Sequence, residues 1–412
     1  MVNVPILMRR LREADQSLLH ALQQVGPLTF FKDYRTTGST AADYSLGSAT
    51  GTMTVSRDAS SPATYVDASG VVQTITTSST PRFTYGFYDS TGFVSRPGLL
   101  MEGGSTNLVT HPSQFDNAAW TATNVTVTAD TEVAPDATTT ADTLTATAAN
   151  GTVLLAAGVT AQTFSVFLKR KTGTGNVQIS ADGGSNYTTV TLFTTKWVRV
   201  QVTAASAAQT CGIRIVTNGD AVYAWGAQFE NVNFASTLIG VNATAALTRG
   251  LEKLSYLNSN NRTAATESMF FKLTPFASSA SITVSQILLA SDTKNRSLIV
   301  SSTNSGRFRF APNSTDSPAV ILNLIEADVT AGTSVVGSAT CASTGDPNAT
   351  LYQDAANSVS SDVDWTSPAW GTNFYVGTAS NGAGGMYGIV EAIAFFSSAM
   401  SASNVATATA LL

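Results

Sequence analysis

Charge is what this chain has least of. Asp, Glu, Lys and Arg together make up 12% of 412 residues, about half the usual share, and Ser, Thr, Ala, Asn and Gly crowd the places they leave. With 22 Lys plus Arg and a net charge of −5, there is no cationic groove to displace phosphate counterions, which argues against a nucleic-acid partner. Two cysteines, Cys211 and Cys341, supply neither a disulfide framework nor a CxxC metal site, and the expectation is two buried thiols. The two histidines, His20 and His111, cannot form HExxH. No GxSxG elbow, P-loop or GxGxxG occurs, so a serine triad and a phosphate cradle are both excluded. No apolar run approaches the ~20 residues that span a bilayer, and Arg9, Arg10 and Arg12 are followed by no h-region. The reading is a chain made in the cytoplasm, not secreted and not inserted in a membrane.

What is present is apolar material for real cores. Hydrophobic residues reach 43%, with 19 Phe, so the polar richness does not signal disorder. The length exceeds one ordinary core and suggests two or three domains. Leu7, Leu11, Ala14, Leu18, Ala21 and Val25 step by four and three, a heptad seam stopped at Gly26-Pro27. Burying Leu7, Leu11, Leu18 and Leu22 would contribute roughly 1.5–3 kcal/mol each. The helix therefore wants a partner: its own β-domain, a bundle of copies, or another protein.

From residue 111 to about 248 the pattern is short strands and turns. Phe164, Val166 and Leu168 alternate with polar residues, as do Val198, Val200 and Val202, a period of two with one wet side. ADGGSNY at 181–187 supplies a Gly-Gly hairpin turn. Residues 250–412 repeat the theme in MFFKLTP, SQILLAS, RSLIVSS, GRFRFAP, NFYVGT and YGIVEAIAFFS. A final short helix is expected there, capped by Ser401 or Ser403, with Val405 and Leu411 tucked back.

Between these parts lies Arg57 to Val109, broken by Gly70, Pro81, Gly92 and Pro97 and lacking a helical period. It is expected to run extended across other elements rather than form a core. Its residues Arg57, Ala63-Thr64-Tyr65-Val66-Asp67, Gly70, Pro81-Arg82-Phe83, Gly98-Leu99-Leu100, Glu102 and Thr106-Asn107-Leu108 resemble a recurrent segment of bacteriophage virion proteins. The resemblance continues through Asn117–Asp130, Thr194–Thr203 and Gly219–Ile239 to Thr248-Arg249, where such proteins carry a carbohydrate-binding-module-like β-sandwich. A looser likeness to concanavalin-like and laminin-G-like domains rests on Leu351-Tyr352, Gly377, Gly388 and Glu391; Asp354-Ala355 stands where those domains commonly turn with Asn-Gly.

The fold class expected is mainly β: two β-sandwich, jelly-roll-like domains preceded by an N-terminal α-helix and an extended anchoring segment. The expected parts are an amphipathic helix at 1–27, a loop-rich anchoring segment at 28–110, a carbohydrate-binding-module-like sandwich at 111–249 and a concanavalin/laminin-G-like sandwich at 250–412. The resemblance implies a structural component of a phage particle, a tail or capsid appendage displaying lectin-like domains for host-surface adhesion. It would attach to other virion proteins through its N-terminal region, assemble as a homo-oligomer with a trimer favoured, and reside in the virion. A capsid decoration protein is the alternative, and a polysaccharide depolymerase a further one.

No catalytic, cofactor or metal residues are assigned, and no enzyme activity is expected. Paired carboxylates are the one catalytic option left. Asp182 and Glu230 are conceivable near a groove, whereas Asp362 and Asp364 read as loop polarity or, less readily, oxygen ligands for Ca²⁺. Flat rings suit sugars better, because a sugar's C–H face stacks on them. Tyr223, Trp225 and Phe229 are expected on one strand face, and Trp225 and Trp197 read as core. Trp365, Trp370, Trp120 and Tyr187 are the candidate glycan or partner contacts, and Leu7, Leu11, Leu18 and Leu22 the virion or oligomer contacts.

Overall fold

The structure is a computed structural model that describes residues 18–35, 53–57, 62–258, 261–262, 266–278, 286–291, 297–301, 307–311, 322–323, 329–342, 347, 349–361, 372–378 and 385–412. The protein is mainly β, and its chain divides into two compact units. One comprises residues 1–57, 97–103 and 251–412, the other residues 58–96 and 104–250. The linear order expected from sequence, with boundaries near 27, 110 and 249, gives way to an interleaved one in which the chain changes unit four times.

The first unit is a sandwich closed by aromatic rings. Tyr387–Phe396 lies at the centre of one sheet, paired with Leu28–Asp33, Thr266–Pro275 and the Leu99–Glu102 segment. The facing sheet includes Glu252–Leu257 beside Asn373–Val376. Phe30 and Phe395 come from the first sheet, Tyr256 and Phe374 from the second. Their centroids lie 5.2–5.3 Å apart, edge-on and stacked contacts that hold two layers together. The helix Ala402–Leu411 starts on Ser401, whose side chain accepts from the Asn404 amide, and buries Val405 and Ala408.

Residues 18–25 are helical, and Leu22 is fully buried among Phe31, Phe396 and Val405, with Leu18, Leu19 and Val25 against the same cluster. Of the four leucines assigned to virion or oligomer contacts, Leu22 and Leu18 are thus occupied within the chain. A lone apolar stripe is satisfied by the nearest apolar face, and here that face is its own sheet. Leu7 and Leu11 lie outside the described residues.

The core of the second unit is one eight-stranded sheet folded into two layers. In place of the short strands expected, Gly151–Thr172 and Val198–Ile215 run 22 and 18 residues and pair along their length, with a register shift between Ala156 and Ala161. Below the shift they pair with Trp120–Thr123 and Val177–Ser180; above it Gly151–Thr172 pairs with Ala221–Glu230, and that strand with Ala141–Ala146. Each long strand therefore serves both layers. Val153, Leu155, Ile213 and Ile179 from one layer meet Phe164, Val166, Leu168, Val200, Val222 and Phe229 from the other in one core. Cys211 sits there too, its thiol pushed up by burial, and both cysteines are free.

The stretch expected to run across other elements instead pairs into sheets. Ala63–Val66 and Val72–Ile75 form a hairpin whose Val66 and Val72 join Phe167, Trp225 and Leu238 in a second apolar cluster. Trp225 and Phe229 were expected to share a face with Tyr223, but Gly226 adopts φ +63°. The register slips there, from Ser165 opposite Gln228 to Phe167 opposite Trp225. This bulge inserts one residue and turns Phe229 into the sandwich core while Trp225 faces the covering hairpin.

Candidate functional site

Among the residues of the recurrent segment, Arg57, Thr64, Arg82, Glu102, Asn107 and Arg249 are buried. Arg57 pairs with Glu252 at 3.2 Å, and the other Glu252 oxygen accepts the Glu102 amide. In the second unit Arg82 donates to Thr64 O and Thr237 Oγ1. Asn107 bridges four main-chain groups: its Nδ2 donates to Ala227 O and Ile239 O, and its Oδ1 accepts from the Val109 and Phe229 amides. Glu230, once conceivable as a groove acid, is fully buried and accepts from Ser105 Oγ, Gln228 Nε2, Ser236 Oγ and the Ser236 amide. Arg249 donates to Ser236 Oγ and Thr237. Such a carboxylate has no lone pair left for chemistry.

The aromatic candidates separate in the same way. Trp120 is 5% exposed, lies 4.6 Å from Phe115 and donates from Nε1 to His111 O. It is core, not a contact, because its register partner is the inward-facing Leu155. Trp225 is core as expected, whereas Trp197 is half-buried and donates to Val133 O. Trp365, Trp370, Asp362 and Asp364 lie outside the described residues. Only Tyr187 reaches a described open surface.

That surface is the outer face of the layer built on Trp120–Thr123, Val177–Ser180, Thr188–Val190 and the 151–156 and 210–215 segments. Because Val153, Ile213 and Ile179 point inward, their neighbours point out. Register places Thr123, Thr152, Arg214, Gln178 and Thr189 side by side across five strands. Five strands at about 4.8 Å spacing make a row about 19 Å long. Arg214 donates from Nε to Gln178 Oε1 at 2.7 Å, Gln178 donates to Thr189 Oγ1 at 3.0 Å, and the Arg214 guanidinium carbon stands 3.6 Å from the centroid of the Tyr187 ring. Two residues along, Gly212 gives the face no side chain and is buried, because Leu154 Cδ2 from the neighbouring strand lies where its Cβ would be, 2.8 Å away.

The 181–187 turn fixes the ring. Asp182 accepts from Ser180 Oγ, the Asn186 amide and Asn186 Nδ2. Burial pushes its carboxyl up, but the donors from Asn186, Ser180 and Ser185 outweigh that and hold it below the ordinary aspartate value. Gly184, at φ +85°, is needed twice over: a Cβ there would also meet the Tyr187 hydroxyl at 2.5 Å. Asp182 thus organises a turn and is no general acid.

Among the described residues no three His, Cys, Asp or Glu gather as metal ligands, and no helix is long and apolar enough to cross a membrane. Chemically, the row offers a half-exposed phenol ring, a fixed guanidinium, a carboxamide and three hydroxyls. Such groups can hydrogen-bond hydroxyls and anions and stack on apolar faces. The sequence pointed to Tyr187 but missed Arg214, whose only local signal is the alternation of Ile213, Arg214 and Ile215.

No protein family matches the chain, and no curated protein does. Among solved structures it is similar to domain 4 of AbnA, a GH43 extracellular arabinanase from Geobacillus stearothermophilus, in complex with arabinotriose. The likeness has 10% identity and a TM-score of 0.31, over 39% of this chain and 73% of that one. It is also similar to the binding domain of Botulinum neurotoxin DC in complex with rat synaptotagmin II, with 12% identity and a TM-score of 0.30, over 40% and 41%. A third likeness is to Trypanosoma rangeli sialidase, with 12% identity and a TM-score of 0.29, over 38% and 25%. The chain spans less than half of the neurotoxin and sialidase chains.

Proposed function

We propose that this chain is a structural component of a phage particle that displays a lectin-like sandwich for host-surface adhesion. The observation that carries the adhesive part is the open Thr123–Thr152–Arg214–Gln178–Thr189 row with Tyr187 stacked at its side. The particle is supported by the sequence resemblance, whose residues make up the buried polar framework. In this reading the protein is not an enzyme. It attaches to other virion proteins through its N-terminal region and works as a homo-oligomer, a trimer favoured, so that many shallow contacts add up by avidity.

One observation favours a second reading, a capsid decoration protein. The 18–25 segment lays Leu22 on its own sheet, which leaves that half of the seam unable to wind a stalk. A depolymerase has less support, since Glu230 and Asp182 are both committed to structure.

Binding of the full-length chain to immobilised host surface polysaccharide, with Tyr187→Ala beside it, tests the proposal. Adhesion predicts binding that falls about tenfold or more in the variant, the scale of losing one ring stack worth about 1–3 kcal/mol. Equal binding by both proteins would sink the Tyr187 assignment. Density for this chain covering the shell of the intact particle, with no binding, would favour decoration. Cleavage of the polysaccharide would overturn the non-enzymatic reading.

A further inference from the structure

We infer that the Arg214 row reads a carboxylate-bearing sugar, such as a terminal uronic or sialic acid, through the two terminal nitrogens of Arg214. This rests on the adhesive reading and specifies its ligand.

Most of the other cations of this unit are spent within it. Arg170 pairs with Asp220 and Lys169 with Glu132. Arg82, Arg199 and Arg249 each donate to a main-chain carbonyl. On the opposite layer Lys171 donates to Thr143 Oγ1 and lies over the Tyr223 ring. Arg214 has its Nε held by Gln178 and its plane by Tyr187, and among the described residues nothing accepts from its terminal nitrogens; Arg96, whose buried Nε has no acceptor, and Lys196, over the Phe193 ring, are unspent too, but neither is fixed by both a hydrogen bond and a ring. The Arg214 side chain is half-buried, so the fork is fixed before any ligand arrives.

A guanidinium held in this way presents parallel N–H groups whose spacing matches the two oxygens of a carboxylate. A point-charge lysine would attract an anion but would not align it. The hydroxyls of Thr152, Thr123 and Thr189 lie along the same row, placed to meet the ring hydroxyls of the sugar that bears the carboxylate. Beside the row the half-buried Leu154 side chain, packed over Gly212, gives a C–H face of that sugar an apolar surface to rest on. The chain as a whole carries −5, so a global field does not draw the anion in. Recognition has to be local, and its salt dependence that of one ion pair. Phosphorylated sugars share the oxyanion chemistry and can meet the fork bidentately as well, so a phosphorylated ligand is the arm of the test that separates the two.

The test measures binding of the full-length chain to oligogalacturonate, sialyllactose, the carboxyl-reduced forms of both, and a phosphorylated neutral oligosaccharide. The inference expects binding to at least one carboxylate ligand and its loss on reduction. Arg214→Lys should weaken that binding about tenfold or more, the scale of one charged hydrogen-bond pair, while melting at the wild-type temperature. Equal binding to reduced forms, unaffected by Arg214→Lys, overturns the inference and leaves the adhesive reading standing. Stronger binding to the phosphorylated sugar overturns the carboxylate assignment. Absence of binding to every charged and neutral sugar counts against both readings.

Discussion

Two polar clusters in the unit of residues 58–96 and 104–250 use much the same side chains, and they differ in where their donors end. Around Glu230, hydroxyls, an amide and an arginine close on one another: the carboxylate takes four donors from Ser105, Gln228 and Ser236, and Arg249 completes the set on Ser236 and Thr237. Around Arg214, threonines, an amide and an arginine are laid out in a line, and the line is left open at the guanidinium. A polar group can be buried cheaply only when its partners are all within the fold. A polar group intended for a ligand has to keep a donor unspent. Closure against openness is thus what sets the Glu230 cluster apart from the proposed row, in a chain whose composition is hydroxyl-rich throughout.

The largest expected effect comes from opening the closed cluster. Glu230→Ala removes the acceptor of four buried donors, and each group left unsatisfied in a dry interior costs about 1–3 kcal/mol. We expect a loss on the order of 3–5 kcal/mol, as when one partner of a buried charged set is removed. Urea denaturation followed by hydrogen exchange in the Ala221–Glu230 strand would read it. A loss below about 1 kcal/mol would erase the distinction between the clusters, because that is what an exposed row should show.

Asp142 is an intermediate case that sharpens the contrast. It is buried, accepts the Phe115 and Asp130 amides and also the Asp116 amide, and lies near the Asp116 carboxylate. Burial pushes its carboxyl from 3.8 up to about 6, the amides of Asp130, Phe115 and Asp116 pull the other way, and the Asp116 charge adds to the rise. Between these values the folded state binds more protons than the unfolded one, so stability falls as pH rises through the window. The contribution is complete below about 4 and gone above about 6. Asp142→Asn should flatten the stability profile between pH 4 and 6. An unchanged slope would show that its amide donors suffice to keep this carboxylate charged.

Much of the framework was legible because its signals are local. The alternation of Phe164, Val166 and Leu168 places three side chains in the core, and Ser401 caps the last helix. At Asp354-Ala355, both residues adopt positive φ, the conformation that Asn-Gly would have taken more easily. The failures are non-local. Nothing near Trp225 announces that Gly226 takes the bulge, and a single inserted residue reverses every face assignment beyond it. Trp120 looks exposed beside its asparagine until Leu155, thirty-five positions on, is seen opposite it. The Arg214 row joins residues from 123 to 214 through register alone, so neither composition nor spacing displays it. The leucine seam was visible, but a seam does not state its partner, and for Leu18 and Leu22 the partner is the chain's own sheet.

The smallest stability effect is expected at the turn that carries Tyr187, and it discriminates best between the two kinds of cluster. Asp182 is half-exposed, so replacing it by Ala costs about 1 kcal/mol or less, the net worth of an ordinary hydrogen bond. Yet its carboxylate holds both the amide and the side chain of Asn186, one residue before the ring that stacks on Arg214. Asp182→Ala should therefore speed hydrogen exchange at Asn186 and release the guanidinium from its ring while the melting temperature barely moves. The carboxyl lies below 3.8 in the fold, so its contribution is complete above that value and is lost as pH falls through the lower folded one. Acid should reproduce in the native chain what the substitution does at neutral pH. If exchange at Asn186 is the same in both proteins at pH 7, the turn does not hold the ring. Preorganisation of the open row would then have to come from Gln178 alone.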